Sequence, residues 1–444
     1  MADSSVFKFS PQSIFQQLNM FEMKLGLERM EQMVKQLSHP EIFPFLIHLA
    51  GTNGKGSTFI FLENLLLQSG YQVAGTISPH LVNFRERFRF QAQSISDGEL
   101  DATLNEVLHL LQMETREKKT WPIQPTYFEL AIAVFFFWAQ KKNPDFVLLE
   151  TGLGGRLDAT NVCDSKAVGI TSISFDHQEQ LGKEIGQILN EKLGIIKPKS
   201  AIFMGMQSPE VLLEWEKIKK RYRNEIYEAG VDFYWEKQDG KRIFRFPKKL
   251  GASQTYAFER LGLLGEHQWD NALLALALYF FSLPSSAFLS FALCQKALLD
   301  VVWPGRLQKL NSPIFPAPTP PIFLDGAHNE SGMAALFRYL QAEFFTPPLK
   351  KICVAITWMK DKEIDKFLPP PTPFLEYQPI IFENQRAISG QEIQKKLQAK
   401  EPMHPEQFIQ ALKNGSFAGY DGIIITGSLY WVGEFLKLTQ SKIP

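Results

Sequence analysis

The sequence predicts an α/β protein with two domains: a larger one with a mostly parallel sheet and a phosphate loop, then a smaller α/β domain. Three observations predict it. A strand, a glycine-rich turn carrying lysine and serine, and an apolar helix follow one another over residues 45–67. Strand-like and helix-like runs alternate from Val73 to Met204, which implies crossover connections and parallel strands with helices on both faces. The alternation resumes between Pro321 and Phe435, beyond an extended segment holding Pro313, Pro316, Pro318, Pro320 and Pro321.

Between Ser10 and Leu37 the spacing of Ile14, Leu18, Met20, Leu25, Leu27, Met30 and Met33 predicts helices before the first strand. The apolar run Phe45 to Ala50 is that strand. It ends in Gly51-Thr52-Asn53-Gly54-Lys55-Gly56-Ser57, and an apolar helix follows from Thr58 to Leu67. Turn amides and a helix N-terminus face an anion in such an arrangement, lysine adds charge, and the hydroxyl can hold a magnesium ion. The spacing departs from the general P-loop pattern. That pattern has four residues before its Gly-Lys pair and Ser or Thr directly after Lys. Here only Thr52 and Asn53 intervene, and Gly56 separates Lys55 from Ser57.

Val73 to Ile77 is the next strand, running into Ser78-Pro79-His80-Leu81 and the charged Arg85-Glu86-Arg87. Ser96-Asp97 starts a helix, and Thr126 with Glu129 has the spacing of a capping box for another, ended by Asn143-Pro144. Phe146 to Leu149 is a strand ending on Glu150. The loop Gly152 to Asn161, a strand from Ala167 to Ile173, Asp176-His177, a helix from Glu184 to Leu193 and a strand from Ala201 to Met204 follow. From Glu210 to Glu259 the charged and aromatic pattern predicts a small antiparallel excursion that includes Arg242 to Phe246. Ala272 to Cys294 is uncharged and long enough to span a bilayer. Ser282, Pro284, Ser285 and Ser286 divide it, so it reads as two buried helices. In the second domain Pro321 to Leu324, Lys351 to Ile356 and Gly422 to Thr426 are strands, Ser331 to Phe345 is a helix, and a last helix runs through Phe435.

A chain of 444 residues exceeds one ordinary core. Hydrophobic content of 45% with 21% charge is that of a soluble globular protein. Lys plus Arg and Asp plus Glu each total 47, so net charge provides no reason to expect nucleic acid or an anionic membrane as partner. Cys163, Cys294 and Cys353 are few and far apart, against a disulfide framework or a zinc site. The N-terminus has no signal pattern. A cytoplasmic monomer without a membrane segment is expected.

Ligands gather at the carboxyl ends of strands in open parallel sheets. The residues beyond those ends are Ser57, Ser78-Pro79-His80, Glu150 and Asp176-His177. Ser57 with Glu150 beside a nucleotide suits magnesium, which prefers oxygen ligands and keeps several waters. His177 reads equally as a histidine bonded to loop backbone, and Glu150 as a solvated strand-end carboxylate. Helix capping alone explains Thr126, and Glu129 stays open. By spacing alone Lys192 is a solvated lysine near a helix C-terminus. Asp325-Gly326-Ala327-His328-Asn329 is either a ribose or phosphate contact or an Asp turn with a helix cap.

Taken together, HLAGTNGKGS (48–57), SPHLVNFRER (78–87), TYFE (126–129), ETGLGGRLDATN (150–161), SFDHQEQLG (174–182), EKLGIIK (191–197), GEHQWDNA (265–272), WPGR (303–306), DGAHN (325–329) and TGSLYWVGE (426–434) resemble the folylpolyglutamate and dihydrofolate synthases. These belong with the ATP-dependent amide ligases that include the Mur enzymes. The resemblance implies a P-loop ATPase-type domain over 1–305, a Rossmann-like domain over 306–444, and an active site in the cleft between them. It implies that Thr52, Asn53, Gly54, Lys55, Gly56 and Ser57 hold ATP together with Asn271, Arg306, Asp325 and His328. Ser57 and Glu150 would bind one Mg2+, Glu150 and His177 a second. Lys192 matches a lysine that is carbamylated in the family, and Lys55, His177 and Lys192 are the catalytic candidates. Ser78, Pro79, His80, Arg87, Thr126, Phe128, Gly155, Asp158 and Ala159 fall where the acceptor is bound, with Phe128, Asp158 and Ala159 at the pterin of the bifunctional bacterial members.

Thr151, Val301-Val302 and the segment Ala355 to Lys362, which keeps Lys-Asp-Lys but lacks an earlier glycine, depart from the family pattern. The implied reaction joins L-glutamate to dihydropteroate, to reduced folates, or to both, through an acyl phosphate. A Mur-type ligase on a cell-wall precursor and a nucleotide-dependent switch without ligation are the alternative readings.

Overall fold

The computed structural model describes residues 14, 15, 18, 24–113, 121–251, 255–310, 315, 319–360, 367–383 and 387–439. Met20, Pro313, Pro316, Pro318, Asp361 and Lys362 lie outside them. The chain divides into two compact units. The first comprises the described residues up to His80, Phe84–Glu259 and Asp270–Leu298; the second comprises Leu81–Asn83, Arg260–Trp269 and the described residues from Leu299 onward.

The first unit is organised on an eight-stranded sheet of order β4-β3-β2-β5-β1-β6-β7-β8. Its strands are β1 (Leu46–Ala50), β2 (Val73–Thr76), β3 (Phe88–Phe90), β4 (Gln93–Ser94), β5 (Phe146–Glu150), β6 (Ala167–Ile170), β7 (Ala201–Met204) and β8 (Ile226–Glu228). From β2 through β8 all pairings are parallel, and β3 and β4 add an antiparallel edge. Every residue of β1, β5, β6 and β7 is buried, as expected of central parallel strands covered on both faces. One core packs Leu46, Ala74, Val147 and Leu149 with the helix Tyr127–Lys142, and another packs Val168, Ile170, Ile202 and Met204 with the helices Ile185–Leu193 and Pro209–Ile218.

The helix Lys55–Gln68 carries apolar residues all round, with Phe59, Ile60, Phe61, Leu62, Leu65 and Leu66 buried, so it belongs inside rather than on a surface. Its one acid, Glu63, is fully buried and takes two hydrogen bonds from Arg89, at 3.0 Å from Nε and 2.7 Å from Nη2. The capping box opens Tyr127–Lys142 as its spacing predicts, and Asn143 ends it in the left-handed conformation.

The stretch from Glu210 is only partly the antiparallel excursion expected. Ser208 caps a helix, Pro209–Ile218, that buries Val211, Trp215 and Ile218 on one face, and β8 then joins the main sheet parallel to β7. Charged residues on that helix's outer face masked its period. The antiparallel part is a separate three-stranded sheet of β9 (Tyr234–Gln238), β10 (Lys241–Arg245) and β11 (Tyr256–Phe258). Within the uncharged stretch the helix His267–Ser282 ends where expected, but the connection, with a 3-10 turn at Ser285–Ala287, is longer than expected and the second helix, Phe291–Leu299, lies mostly beyond the stretch. Among the described residues no helix is long and apolar enough to cross a membrane.

The second unit has a five-stranded sheet, β12-β13-β16-β14-β15. Its strands are β12 (Gln308–Leu310), β13 (Ile322–Leu324), β14 (Ile352–Ile356), β15 (Leu375–Pro379) and β16 (Gly422–Thr426). Only β12 runs antiparallel, and apolar cores lie on both faces. The strand β15 and the helices Gly390–Leu397 and Pro405–Lys413 were not anticipated. β15 mixes Glu376, Gln378 and Pro379 with its apolar residues and carries no clear period.

Candidate functional site

The strand order puts β1 between β5 and β6, with the crossovers leaving in opposite directions, so a crevice is expected at their carboxyl ends. The phosphate loop leaves β1 there. Its amides are fixed by the segment after β6: Thr52 and Asn53 N donate to Ser172 O at 2.8 and 3.2 Å, and Thr52 Oγ1 donates to Ser174 O at 3.0 Å. Gly54 has φ +92, and a Cβ there would lie 2.3 Å from Asn271 Oδ1, so conformation and close approach both require glycine. Asn271 of the helix His267–Ser282 thus lies over the loop. Its neighbour Asp270 accepts from Trp235 Nε1 at 2.9 Å.

Two lysines converge on one carbonyl. Lys55 Nζ donates to Gly51 O at 2.9 Å and to Thr52 O at 3.3 Å, while Lys192 Nζ donates to Gly51 O at 2.9 Å. Lys192 is buried. Burial, with the like charge of Lys55, lowers its pKa from the usual 10.5 to about 7, against the pull of Asp176 and Asp158. The solvated lysine read from spacing alone is therefore an amine held in the interior.

The end of the Lys192 helix also supports the loop Gly152 to Asn161. Arg156 N donates to Glu191 O at 2.8 Å, and a Cβ on Gly155 would lie 2.8 Å from the carbonyl oxygens of both Glu191 and Lys192. The Phe128 ring covers Gly152. Asp158 is buried within the loop. Oδ2 accepts from Gly152 N and Leu153 N at 2.9 Å each; Oδ1 accepts from Thr160 N at 3.0 Å and from Thr160 Oγ1 at 2.5 Å. Burial raises its pKa and these donors oppose that rise. Ala159 is buried beside it. His48 Nε2 lies 2.8 Å from Thr160 Oγ1 and the ring is fully buried; burial, with Lys197 nearby, lowers its pKa to about 3.

Ser57 is buried in the first turn of the helix Lys55–Gln68, and Glu150, buried, ends β5 and accepts from Ser78 N at 3.1 Å. The Ser78-Pro79 bond is cis. His177 has φ +49, and its amide donates to Asp176 Oδ1 at 2.9 Å. Among the described residues no three His, Cys, Asp or Glu side chains gather as a metal cage. The donor set of a hydroxyl and a carboxylate fits magnesium, which takes waters and phosphate oxygens for its other positions.

Arg87 is buried, donates from Nε to His80 Nδ1 at 2.9 Å, and lies 5.6 Å from the Tyr127 ring centroid and 6.0 Å from that of Phe84. Burial and Arg87 hold His80 neutral, with its pKa lowered to about 3. Thr126 Oγ1 accepts from Glu129 N, and Glu129 also meets Arg29 at 3.0 Å. Helix capping thus engages both Thr126 and Glu129.

In the second unit Asp325 accepts from Leu307 N at 2.8 Å and Ala327 N at 2.9 Å. Burial raises its pKa while Arg306 opposes the rise. His328 Nδ1 donates to Gly326 O at 2.7 Å. His267 has its pKa lowered to about 4 by burial and by Arg306 and Arg338.

Sequence reasoning singled out neither His48 nor Thr160. A histidine inside an otherwise apolar strand was the available signal for the first; Thr160 had none.

Residues 49–279 match the Mur ligase middle domain family. The chain is 33% identical over 430 residues to the dihydrofolate synthase/folylpolyglutamate synthase of Bacillus subtilis (strain 168), covering 94% of this chain and 95% of that one. It superposes with a TM-score of 0.81 on a folylpolyglutamate synthase of Mycobacterium tuberculosis complexed with ADP and AMPPCP, at 25% identity over 98% of both chains. A bifunctional folylpolyglutamate synthase/dihydrofolate synthase with Mn, AMPPNP and L-glutamate bound superposes with a TM-score of 0.79 at 25% identity, over 96% of this chain and 97% of that one.

Proposed function

The chain belongs to the dihydrofolate synthase/folylpolyglutamate synthase family of Mur ligases, and on that premise we propose that it joins L-glutamate to both dihydropteroate and reduced folates at the expense of ATP. The observation that carries the reading is the junction at Lys192. Its side chain touches the phosphate loop at Gly51, and its backbone touches the loop Gly152 to Asn161 at Gly155.

The acceptor carboxylate attacks the γ-phosphorus of ATP, ADP leaves, and an acyl phosphate forms. The glutamate amine then adds to the acyl carbon, and phosphate departs as the amine gives up its proton. Lys55 and the loop amides bind and orient the phosphates in a setting fixed before reaction. Ser57 and Glu150 would hold one magnesium ion, and Glu150 with His177 a second, and such ions would supply charge neutralisation for the transferring phosphoryl group. Asn271 lies over the loop that holds the phosphates, and Arg306, Asp325 and His328 are the second unit's own candidates for nucleotide contact. Ser78, Pro79, His80, Arg87, Phe128, Gly155 and Ala159 line the acceptor's place, with Thr126 and Asp158 shaping it.

Carbamylation of Lys192 is part of this reading. A neutral amine adds to carbon dioxide and releases one proton, and a pKa near 7 provides that amine at neutral pH. The product is an anion beside Lys55, which turns a repulsive pair into an attractive one.

Three free, buried cysteines suit a reducing cytosol, and the protein is read as a cytoplasmic monomer whose partners are small molecules. The test is a paired assay of ADP release with dihydropteroate and tetrahydrofolate as acceptors. Release with each acceptor should require magnesium and L-glutamate. Release indifferent to both organic substrates would overturn ligation in favour of a nucleotide switch, and release with one acceptor only would remove bifunctionality.

A further inference from the structure

The strand that carries the phosphate loop is apolar except at His48. A buried imidazole there costs free energy that leucine would not, because its Nδ1 is buried without a hydrogen-bond partner. The other ring nitrogen has one well-defined task. A carboxylate only accepts, so the single proton of Thr160 Oγ1 goes to Asp158 Oδ1 at 2.5 Å. Thr160 Oγ1 must then accept from His48 at 2.8 Å, which assigns the proton to Nε2. Asp158 in turn holds the amides of Gly152 and Leu153.

We propose that His48 is a positioning residue for the acceptor loop, acting through the Thr160 hydroxyl and the Asp158 carboxylate on the backbone at Gly152 and Leu153. His48, Asp158 and Thr160 are buried, and the last link runs to backbone amides of the turn that follows β5. The chain starts three residues before Gly51, so a single strand fixes both the phosphate loop and the loop that meets the acceptor. The Phe128 ring packs on Gly152. Loss of the first link leaves the Thr160 oxygen without its donor, so only the bond to Asp158 holds the hydroxyl that orients the carboxylate.

This inference rests on the proposed ligase reading for its kinetic test, and a second measurement stands apart from it. His48→Leu keeps the apolar volume and removes the donor; His48→Gln returns an N–H near the position of Nε2. His48→Leu should raise KM for dihydropteroate about tenfold while KM for ATP stays within about twofold, and His48→Gln should recover most of the loss. Hydrogen exchange at Gly152 and Leu153 should quicken about tenfold in the leucine variant and return in the glutamine variant. Should His48→Leu fail to fold, Thr160→Val breaks the same chain and carries the same expectations. Unchanged exchange at both amides, or KM values for acceptor and ATP that rise together, would overturn the proposal. A wild-type enzyme that does not ligate glutamate would instead overturn the functional reading, leaving the exchange measurement to decide the role of His48.

Discussion

Lys55 and Lys192 place their Nζ atoms on the same carbonyl oxygen, that of Gly51, each at 2.9 Å. Burial, with the repulsion of a second ammonium group around the same acceptor, lowers the pKa of Lys192 to about 7.

Stability should therefore depend on pH through Lys192. Between about 7, the folded value, and the usual 10.5, the unfolded chain binds the extra proton, so stability rises as pH rises through that window. Lys192→Met should flatten the rise by about 3 kcal/mol in urea denaturation at pH 7 and pH 10 in CO2-free buffer. Lys192→Arg keeps a cation that cannot form a carbamate, and kcat should fall at least about 100-fold. Wild-type activity insensitive to added bicarbonate, with an unmodified amine in crystallographic density, would rule out the carbamate.

Ser57→Ala and Glu150→Gln address the metal. Each variant should stay folded, as judged by its thermal melt, and lose about 100-fold or more in turnover at saturating ATP. Full activity in either would remove that residue from magnesium binding. Loss in Glu150→Gln accompanied by a much lower melting temperature would point to its bond with Ser78 N instead.

The pair Glu63 and Arg89 concerns stability. With Glu63 fully buried and Arg89 only 11% exposed, Glu63→Ala leaves a guanidinium without its bidentate partner and should cost about 3–5 kcal/mol. The double variant Glu63→Met, Arg89→Met should recover most of that in equilibrium urea unfolding. A double variant no more stable than the single one would mean that packing, rather than the stranded charge, sets the loss.

The α/β class, most strands of the main sheet and the irregular phosphate loop could be read from the chain because each is a local pattern. An apolar run, a glycine turn with Lys55 and Ser57, and the Thr126 and Glu129 capping box are complete within a few residues. By itself the sequence determined which segments form the buried strands of a largely parallel sheet and where a glycine-rich turn follows the first of them. It did not determine that Ile226–Glu228 extends the main sheet, because a three-residue strand has no period to read until β7 lies beside it.

Tertiary structure alone decided the state of the titratable groups. Spacing marks Lys192 as a helix-end lysine and Asp158 as a loop carboxylate. Folding buries the first against Lys55 and surrounds the second with four donors. His48 and Thr160 are 112 positions apart in sequence and 2.8 Å apart in space. Burial, like-charge proximity and hydrogen-bond saturation are properties of neighbours in space, and the neighbours here come from distant segments of the chain.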